Sequence, residues 1–135
     1  MARITLDATV LIALAKPDDA HHEWAKEFFL KSTDMQLCIA SLTLAEVLVH
    51  PVRQKVAKKF LNAINRLNLE VLPLADDDVL GLAQVRVSSG LRMPDAVVLH
   101  TAISHKTDIV TTDVQLARAA LAHKVAVHQP ATTNI

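Results

Sequence analysis

Four acidic residues of this chain stand where a predicted strand gives way to a helix, or in the first turn of a predicted helix. They are Asp7, Glu46, Asp95 and Asp113. In a parallel sheet the carboxyl ends of neighbouring strands lie side by side, about 5 Å apart per strand, and open α/β sheets place their ligands at that edge. We therefore predict that the four carboxylates meet at one edge of a central sheet.

Four carboxylates in one place imply a bound cation. Two of them about 4 Å apart repel by about 4 kcal/mol at an effective dielectric constant of about 20, so four stay ionised in an apolar setting only if a cation offsets the repulsion. Hard oxygen ligands suit Mg²⁺ or Mn²⁺ rather than Zn²⁺, and the single cysteine, Cys38, and the scattered histidines supply no competing ligand set. An ion held in this way can activate a water that attacks a phosphodiester bond.

Each carboxylate also has a purely structural explanation. Acidic residues favour helix N-termini because they complement the helix dipole and cap free N–H groups. Thr43 and Glu46 have the spacing of a capping box, in which Glu46 would only accept a hydrogen bond from a backbone N–H. Asp113 has the position of an N-cap, and Asp95 follows Pro94 at a helix start. Each explanation is sufficient for one residue, whereas the ordered set of four favours a function.

Strands and helices alternate along the whole sequence. The apolar runs predict strands over Ile4–Asp7, Met35–Ala40, Leu69–Leu74, Asp108–Thr112 and Val125–His128. Helices are predicted from the first strand to Ala15, from a cap at Asp18 or Asp19, over Ser41–His50 with a stop at Pro51, over Val52–Leu67, from Asp76–Asp78 to Ser88, over Pro94–Ser104 and over Asp113–His123. This order predicts an α/β fold, a three-layer α/β/α sandwich with a parallel sheet of four to five strands.

Length and composition predict one domain that spans residues 1–135. A chain of this length buries roughly two-thirds of its unfolded surface, and 51% hydrophobic residues with only 3% aromatics suit helices packed on a parallel sheet. The two glycines, Gly81 and Gly90, belong to no GxGxxG or P-loop motif, which argues against dinucleotide and Walker-type phosphate binding. Without a signal-peptide pattern or an apolar run of about 18 residues, we expect a cytoplasmic protein without membrane contact.

The formal charge is balanced, with 14 basic and 14 acidic residues. The sequence therefore shows no global nucleic-acid footprint, and RNA would have to be held by a local patch. Lys55, Lys58 and Lys59 form one basic helix face that is a candidate, although such faces are usually only solvated. Arg92, three residues before Asp95, is better placed to hold a phosphate or an acidic side chain of a partner.

Four short motifs carry a family resemblance that spans nearly the whole chain. They are Leu6-Asp7-Ala8-Thr9, Leu44-Ala45-Glu46-Val47, Arg92-Met93-Pro94-Asp95-Ala96 and Thr111-Thr112-Asp113. With these motifs the chain resembles the PIN-domain ribonucleases, and more closely the VapC-type toxins of bacterial toxin–antitoxin pairs. The resemblance implies that the four acidic residues bind the metal and are catalytic, supported by the hydroxyl of Thr9 and by that of Thr111 or Thr112.

The resemblance also implies a biological role. It implies a Mg²⁺- or Mn²⁺-dependent endoribonuclease that is the toxin of a type II toxin–antitoxin pair, forms a homodimer and is silenced by an antitoxin that enters its active-site groove. The chain departs from the family pattern where Thr9 replaces the usual Ser or Asn, although a threonine still donates a hydrogen bond. It also lacks the further acidic residue that some relatives carry after the last Asp, since Val114-Gln115-Leu116 follow Asp113.

Two other functions are compatible with parts of the pattern. A phosphatase of the haloacid-dehalogenase type also begins with a strand-end Asp, but it needs a second Asp two residues later, where this chain has Thr9. A PIN-like module that binds RNA or a partner protein without efficient catalysis would keep both the fold and the carboxylates. Binding of Mn²⁺ separates this module from the nuclease.

Overall fold

The computed structural model of the protein describes residues 2–131. The strands are β1 Arg3–Leu6, β2 Gln36–Ala40, β3 Glu70–Leu72, β4 Asp108–Val110 and β5 Val127–His128. The helices are α1 Ala8–Ala15, α2 His22–Lys31, α3 Ser41–Arg53, α4 Ala57–Asn65, α5 Val79–Ser89, α6 Met93–His105 and α7 Val114–Ala122, with a 3₁₀ turn at Asp76–Asp78 before α5. No helix among these residues is both long enough and apolar enough to cross a membrane.

The five strands form one parallel sheet in the order β3-β2-β1-β4-β5. The chain moves outward from β1 to β3 and then returns to the other side of β1 with β4. The strand order therefore reverses between β1 and β4, where a crevice opens at the carboxyl ends of the strands. Leu6 pairs with Val110 across this reversal, so the residues that follow the two strands lie next to each other.

Helices cover both faces of the sheet, because strand residues alternate between two apolar clusters. Ile109 of β4 belongs to the cluster that α5, α6 and α7 form on one face. Its neighbour Val110 belongs to the cluster under α1, α2 and α3 on the other face. The central strand is buried throughout, with Ile4 and Leu6 at 0% exposure. These layers confirm the predicted α/β/α sandwich and its parallel sheet, which has five strands.

The predicted helix stop at Pro51 is wrong. Helix α3 runs through this residue to Arg53, and the next helix is shorter than the predicted Val52–Leu67. Pro51 lies in the last turn of α3, where its missing N–H removes only one helical hydrogen bond, and its side chain is buried. The helix instead ends where Lys55 adopts a left-handed φ of 61°.

The predicted cap of the second helix is also wrong. Helix α2 has His21 at its N-cap position, and no side chain caps it. The Asp19 carboxylate accepts a hydrogen bond from the His21 N–H at 2.8 Å. Asp19 therefore stabilises the turn before the helix, as short acidic side chains often do.

Candidate active site

Asp7 is the single residue between β1 and α1, and only 4% of it is exposed. Its Oδ1 atom accepts a hydrogen bond from the Ala8 N–H at 2.8 Å and so caps α1. Its Oδ2 atom accepts hydrogen bonds from the hydroxyls of Thr9 at 2.9 Å and Thr111 at 2.6 Å. Burial raises the pKa of this carboxyl although the three hydrogen bonds lower it, and the nearby negative charge of Asp113 raises it further.

The two threonines connect the start of α1 to the end of β4. Thr9 Oγ1 accepts a hydrogen bond from the Thr112 N–H at 3.2 Å, and Thr111 Oγ1 accepts one from the Asp113 N–H at 2.9 Å. The hydroxyl of Thr9 still donates to Asp7, as we expected from its chemistry. The second hydroxyl on Asp7 comes from Thr111, whereas Thr112 contributes its backbone N–H.

Asp113 caps helix α7, as its structural explanation predicts. Its Oδ1 atom accepts hydrogen bonds from the Gln115 N–H at 2.8 Å and the Leu116 N–H at 3.3 Å. Both bonds go to one oxygen, so capping does not use Oδ2. Asp113 can therefore cap α7 and also contribute to a site beside Asp7. The capping hydrogen bonds orient its carboxylate at the crevice between β1 and β4.

The capping-box explanation of Glu46 is wrong. Helix α3 starts at Ser41, directly after β2, and its N-cap residue Ala40 receives no side-chain hydrogen bond. Thr43 consequently lies inside the first turn, where its hydroxyl has no hydrogen-bond partner among the described residues. Partial burial raises the pKa of Glu46, and the negative charge of Asp7 raises it further. Glu46 is therefore a largely exposed acid that is close enough to Asp7 for the charge of Asp7 to affect its pKa, and it has no capping role.

Asp95 lies in the first turn of α6, and the negative charges of Asp7, Glu46 and Asp113 all act on its carboxyl group. Burial is the largest cause that raises its pKa from 3.8 to about 6, followed by the charges of Asp7, Asp113 and Glu46. The positive charge of Arg92 lowers it. Because such charge effects fall off with distance, the structure brings the four predicted acidic residues, and Arg92, into one neighbourhood.

The side chains are not arranged as a complete metal-binding cage. Among residues 2–131, no group of three or more His, Cys, Asp or Glu side chains is positioned to hold a metal ion. Mg²⁺ needs fewer protein ligands than that, because it usually keeps several waters and binds through one or two carboxylates plus substrate phosphates. An all-oxygen set in which the charges of Asp7, Asp113 and Glu46 act on Asp95 therefore fits such an ion.

Two grooves flank Glu46. The α1–α3–α4 groove has a volume of about 260 Å³, and the residues along it include Ile12, Lys16, Glu46, His50, Gln54 and Phe60. The α3–α6 groove has a volume of about 190 Å³ and is lined by Leu42, Thr43, Glu46, Met93, Pro94 and Val97. The α3–α6 groove was not predicted from the sequence, because its walls come from two helices about 50 residues apart. The signal in the sequence is the apolar character of Leu42 and Met93, which come shortly before Glu46 and Asp95.

Comparisons with known proteins agree with this fold. The PIN domain family model matches residues 4–121. VapBC2 from Rickettsia felis, bound to promoter DNA, has a TM-score of 0.74 at 12% identity, covering 96% of this chain and 99% of that one. VapC20 from Mycobacterium tuberculosis, described as a sarcin–ricin-loop-cleaving toxin, has a TM-score of 0.73 at 16% identity, covering 86% and 94%.

A toxin–antitoxin complex from Klebsiella pneumoniae has a TM-score of 0.71 at 22% identity, covering 84% of this chain and 89% of that one. No curated protein matches the sequence. The structural neighbours therefore support the fold, and the match of the family model extends over most of the chain. On this match the chain belongs to the PIN domain family.

Proposed function

We propose that this protein is a Mg²⁺- or Mn²⁺-dependent endoribonuclease and the toxin of a type II toxin–antitoxin pair. The observation that carries the proposal is the junction of β1 and β4, where the Thr111 hydroxyl donates a hydrogen bond to Asp7. The pKa of Asp95 agrees with it, because burial raises this pKa first and the charges of Asp7, Asp113 and Glu46 raise it further. Structural explanations account for single carboxylates, but they do not account for four that meet from β1, α3, α6 and α7. Membership of the PIN domain family supports the same chemistry.

The chain's own residues have distinct roles in this proposal. Asp7, Glu46, Asp95 and Asp113 would hold the metal, and the bound ion would supply positive charge to the phosphate and acidify a water. Thr9 and Thr111 fix the Oδ2 atom of Asp7 and so orient the carboxylate. Arg92 would bind a phosphate of the RNA next to the cleavage position, since a guanidinium binds phosphate oxygens well.

An antitoxin partner fits the α1–α3–α4 groove. The groove continues into an apolar one that shares Ala15 and Phe60 with it and is also lined by Leu11, Leu14 and Ile64. An amphipathic segment that covered this surface would bury apolar side chains at one end and reach Glu46 at the other. The similar solved structure from Klebsiella pneumoniae is described as a toxin–antitoxin complex. We extend the proposal to a homodimer, as the family resemblance implies.

Cleavage of a structured RNA by the purified protein tests the function. We expect cleavage with Mg²⁺ or Mn²⁺ and none with EDTA, and we expect Asp7→Asn and Asp95→Asn to abolish it. Asp77→Asn is the matched control, because it neutralises an exposed carboxylate in the turn before α5. Wild-type activity in both site variants would show that the carboxylates are not catalytic.

A binding module without catalysis is the second candidate, and the lack of a preformed three-residue metal group among residues 2–131 favours it. Isothermal titration with Mn²⁺ separates the two functions. The nuclease requires Mn²⁺ binding that is lost in an Asp7→Asn/Asp113→Asn double variant. Equal heats for the wild type and the double variant would favour the module.

A further inference from the structure

We infer that the α3–α6 groove binds one unpaired nucleobase of the RNA. This base would be attached next to the phosphate that is cleaved at the acidic residues. This inference rests on the proposed ribonuclease function and adds a substrate-recognition element to it. The groove is adjacent to the site, because Glu46 lines it and its two walls are the helices that carry Glu46 and Asp95. A nucleotide next to the cleaved phosphate would therefore be within reach of this groove.

The walls of the groove expose apolar surface that a base would cover. Leu42 is 49% exposed and Met93 is 47% exposed, and they line the groove together with Pro94 and Val97. A thioether is polarisable and contacts aromatic rings favourably, so Met93 is suited to the face of a base. The volume of about 190 Å³ is that of several waters at about 30 Å³ each, which is the scale of one base.

Thr43 supplies a buried hydroxyl to the groove. Thr43 is only 4% exposed and lines the groove, and its hydroxyl has no hydrogen-bond partner among residues 2–131. A buried hydroxyl without a hydrogen bond costs stability, so its presence needs a reason. A base edge that hydrogen-bonds this hydroxyl after a small shift of the groove would provide one.

Charge favours RNA over a protein segment in this groove. Arg92 precedes Met93 and is exposed, and its charge reaches Asp95. A phosphate near Arg92 would place the attached base at Met93. The apolar surface that an amphipathic helix would need lies instead on the opposite side of Glu46, in the α1–α3–α4 groove and its continuation. Recognition of an unpaired base is also the usual way in which proteins read RNA sequence.

Fluorescence anisotropy with labelled single-stranded oligoribonucleotides tests the inference. The probes are oligomers of A, C, G and U and an abasic oligomer of the same length, and the protein is the cleavage-deficient Asp7→Asn variant. We expect Met93→Ala and Leu42→Ala in this background to weaken binding of at least one base-containing oligomer about fivefold or more. Binding of the abasic oligomer should change less than about twofold. Val87→Ala, on exposed α5 surface, is the matched control and should bind like its parent.

Thr43→Val removes the hydroxyl at nearly constant shape, and we expect it to change the order of affinities among the four bases. Equal losses for base-containing and abasic oligomers, or no loss at all, would overturn the subsite. Loss of antitoxin binding by Met93→Ala with unchanged binding of all the oligomers would make the groove a protein-docking surface and also overturn it. The wild-type cleavage assay reports the ribonuclease function separately, so a protein that cleaves RNA but fails these tests loses only the subsite.

Discussion

Asp7 is buried and accepts three hydrogen bonds, and these two features have opposite effects on the pKa of its carboxyl group. Hydrogen bonds to the charged form favour ionisation, whereas burial disfavours it, and burial prevails here. The family resemblance implied Thr9 and either Thr111 or Thr112 as its supports, and the second hydroxyl on Asp7 is that of Thr111. The unpaired hydroxyl of Thr43 among residues 2–131 was not predictable, because the sequence suggests a capping box for Thr43 and Glu46, whereas the N-cap residue of α3 is Ala40.

Thr111→Val should destabilise the protein by about 1–3 kcal/mol, the usual cost of leaving a buried polar group unpaired. The variant removes the 2.6 Å donor to Asp7 and the acceptor of the Asp113 N–H. Urea unfolding of the metal-free protein measures this loss. Thr112→Val is the control and should lie within about 0.5 kcal/mol of wild type, because the Thr112 contact uses its backbone. Equal stabilities of the two variants would contradict the role of the Thr111 hydroxyl.

The raised pKa of Asp95, about 6 against an ordinary 3.8, makes the stability of the metal-free protein depend on pH. Between pH 4 and about 6 the unfolded chain loses a proton that the folded chain keeps, so stability falls as pH rises through this range. Below this range the two states are protonated alike and the penalty disappears. We expect Asp95→Asn to match wild type near pH 4 and to melt at a higher temperature near pH 7.5 in EDTA.

Added Mg²⁺ should narrow the difference between Asp95→Asn and wild type near pH 7.5, because a cation stabilises the ionised carboxyl. Asp77→Asn, again the exposed control, should follow the wild-type pH profile. A constant difference between Asp95→Asn and wild type from pH 4 to 7.5 would show that Asp95 does not titrate in this range.

At the scale of elements, direct strand-to-helix junctions position the site. Asp7 alone separates β1 from α1, and α3 follows β2 without a loop, so the carboxylates cannot move independently of the sheet. These junctions were predictable, because apolar strand residues pass directly into helix-forming ones. The path of α3 through Pro51 was not, because whether a proline ends a helix depends on its position in the last turn and on its burial.

Gly81→Ala should destabilise the packing of α5 on α6, although alanine is the better helix former by about 1 kcal/mol. An added Cβ would lie 2.8 Å from Cε1 of the His100 ring. That ring is held by a 3.0 Å hydrogen bond to Asp78 and is mostly buried, so it cannot simply move away. We expect a net loss of about 1 kcal/mol in urea unfolding.

The same glycine substitution in a His100→Ala background tests the cause. With the ring removed, Gly81→Ala should become neutral or stabilising, because only the helix propensity remains. A loss of the same size in both backgrounds would place the strain elsewhere in α5.

On the scale of the whole molecule, the sheet order explains why one site gathers residues from positions 7 to 113. The reversal between β1 and β4 places Asp7 beside the residues that follow Val110. The strand alternation predicted a parallel sheet, but it did not determine on which side of β1 the fourth strand would insert. The side of β1 on which β4 inserts depends on which face of the sheet each connecting helix covers. The assignment of Ile109 to one face and Val110 to the other is known only from the folded protein.

Removal of the metal should leave the fold intact, because neither apolar cluster includes any of the four acidic residues. We expect unchanged far-ultraviolet circular dichroism in EDTA. Mg²⁺ at about 100 times its dissociation constant should add about 2.7 kcal/mol to the free energy of unfolding. The Asp7→Asn/Asp113→Asn variant should show no such gain, and unfolding in EDTA alone would contradict a core that is independent of the metal.

The position of β4 beside β1 also has a consequence for synthesis on the ribosome. During synthesis the N-terminal part of a chain leaves the ribosome and folds first. The strands β1, β2 and β3 can therefore pair long before β4 has been made. Until β4 arrives, one edge of β1 stays open, and the last of the four acidic residues has not joined the other three. The candidate site of a nascent chain is therefore incomplete until the residues through Asp113 have been translated.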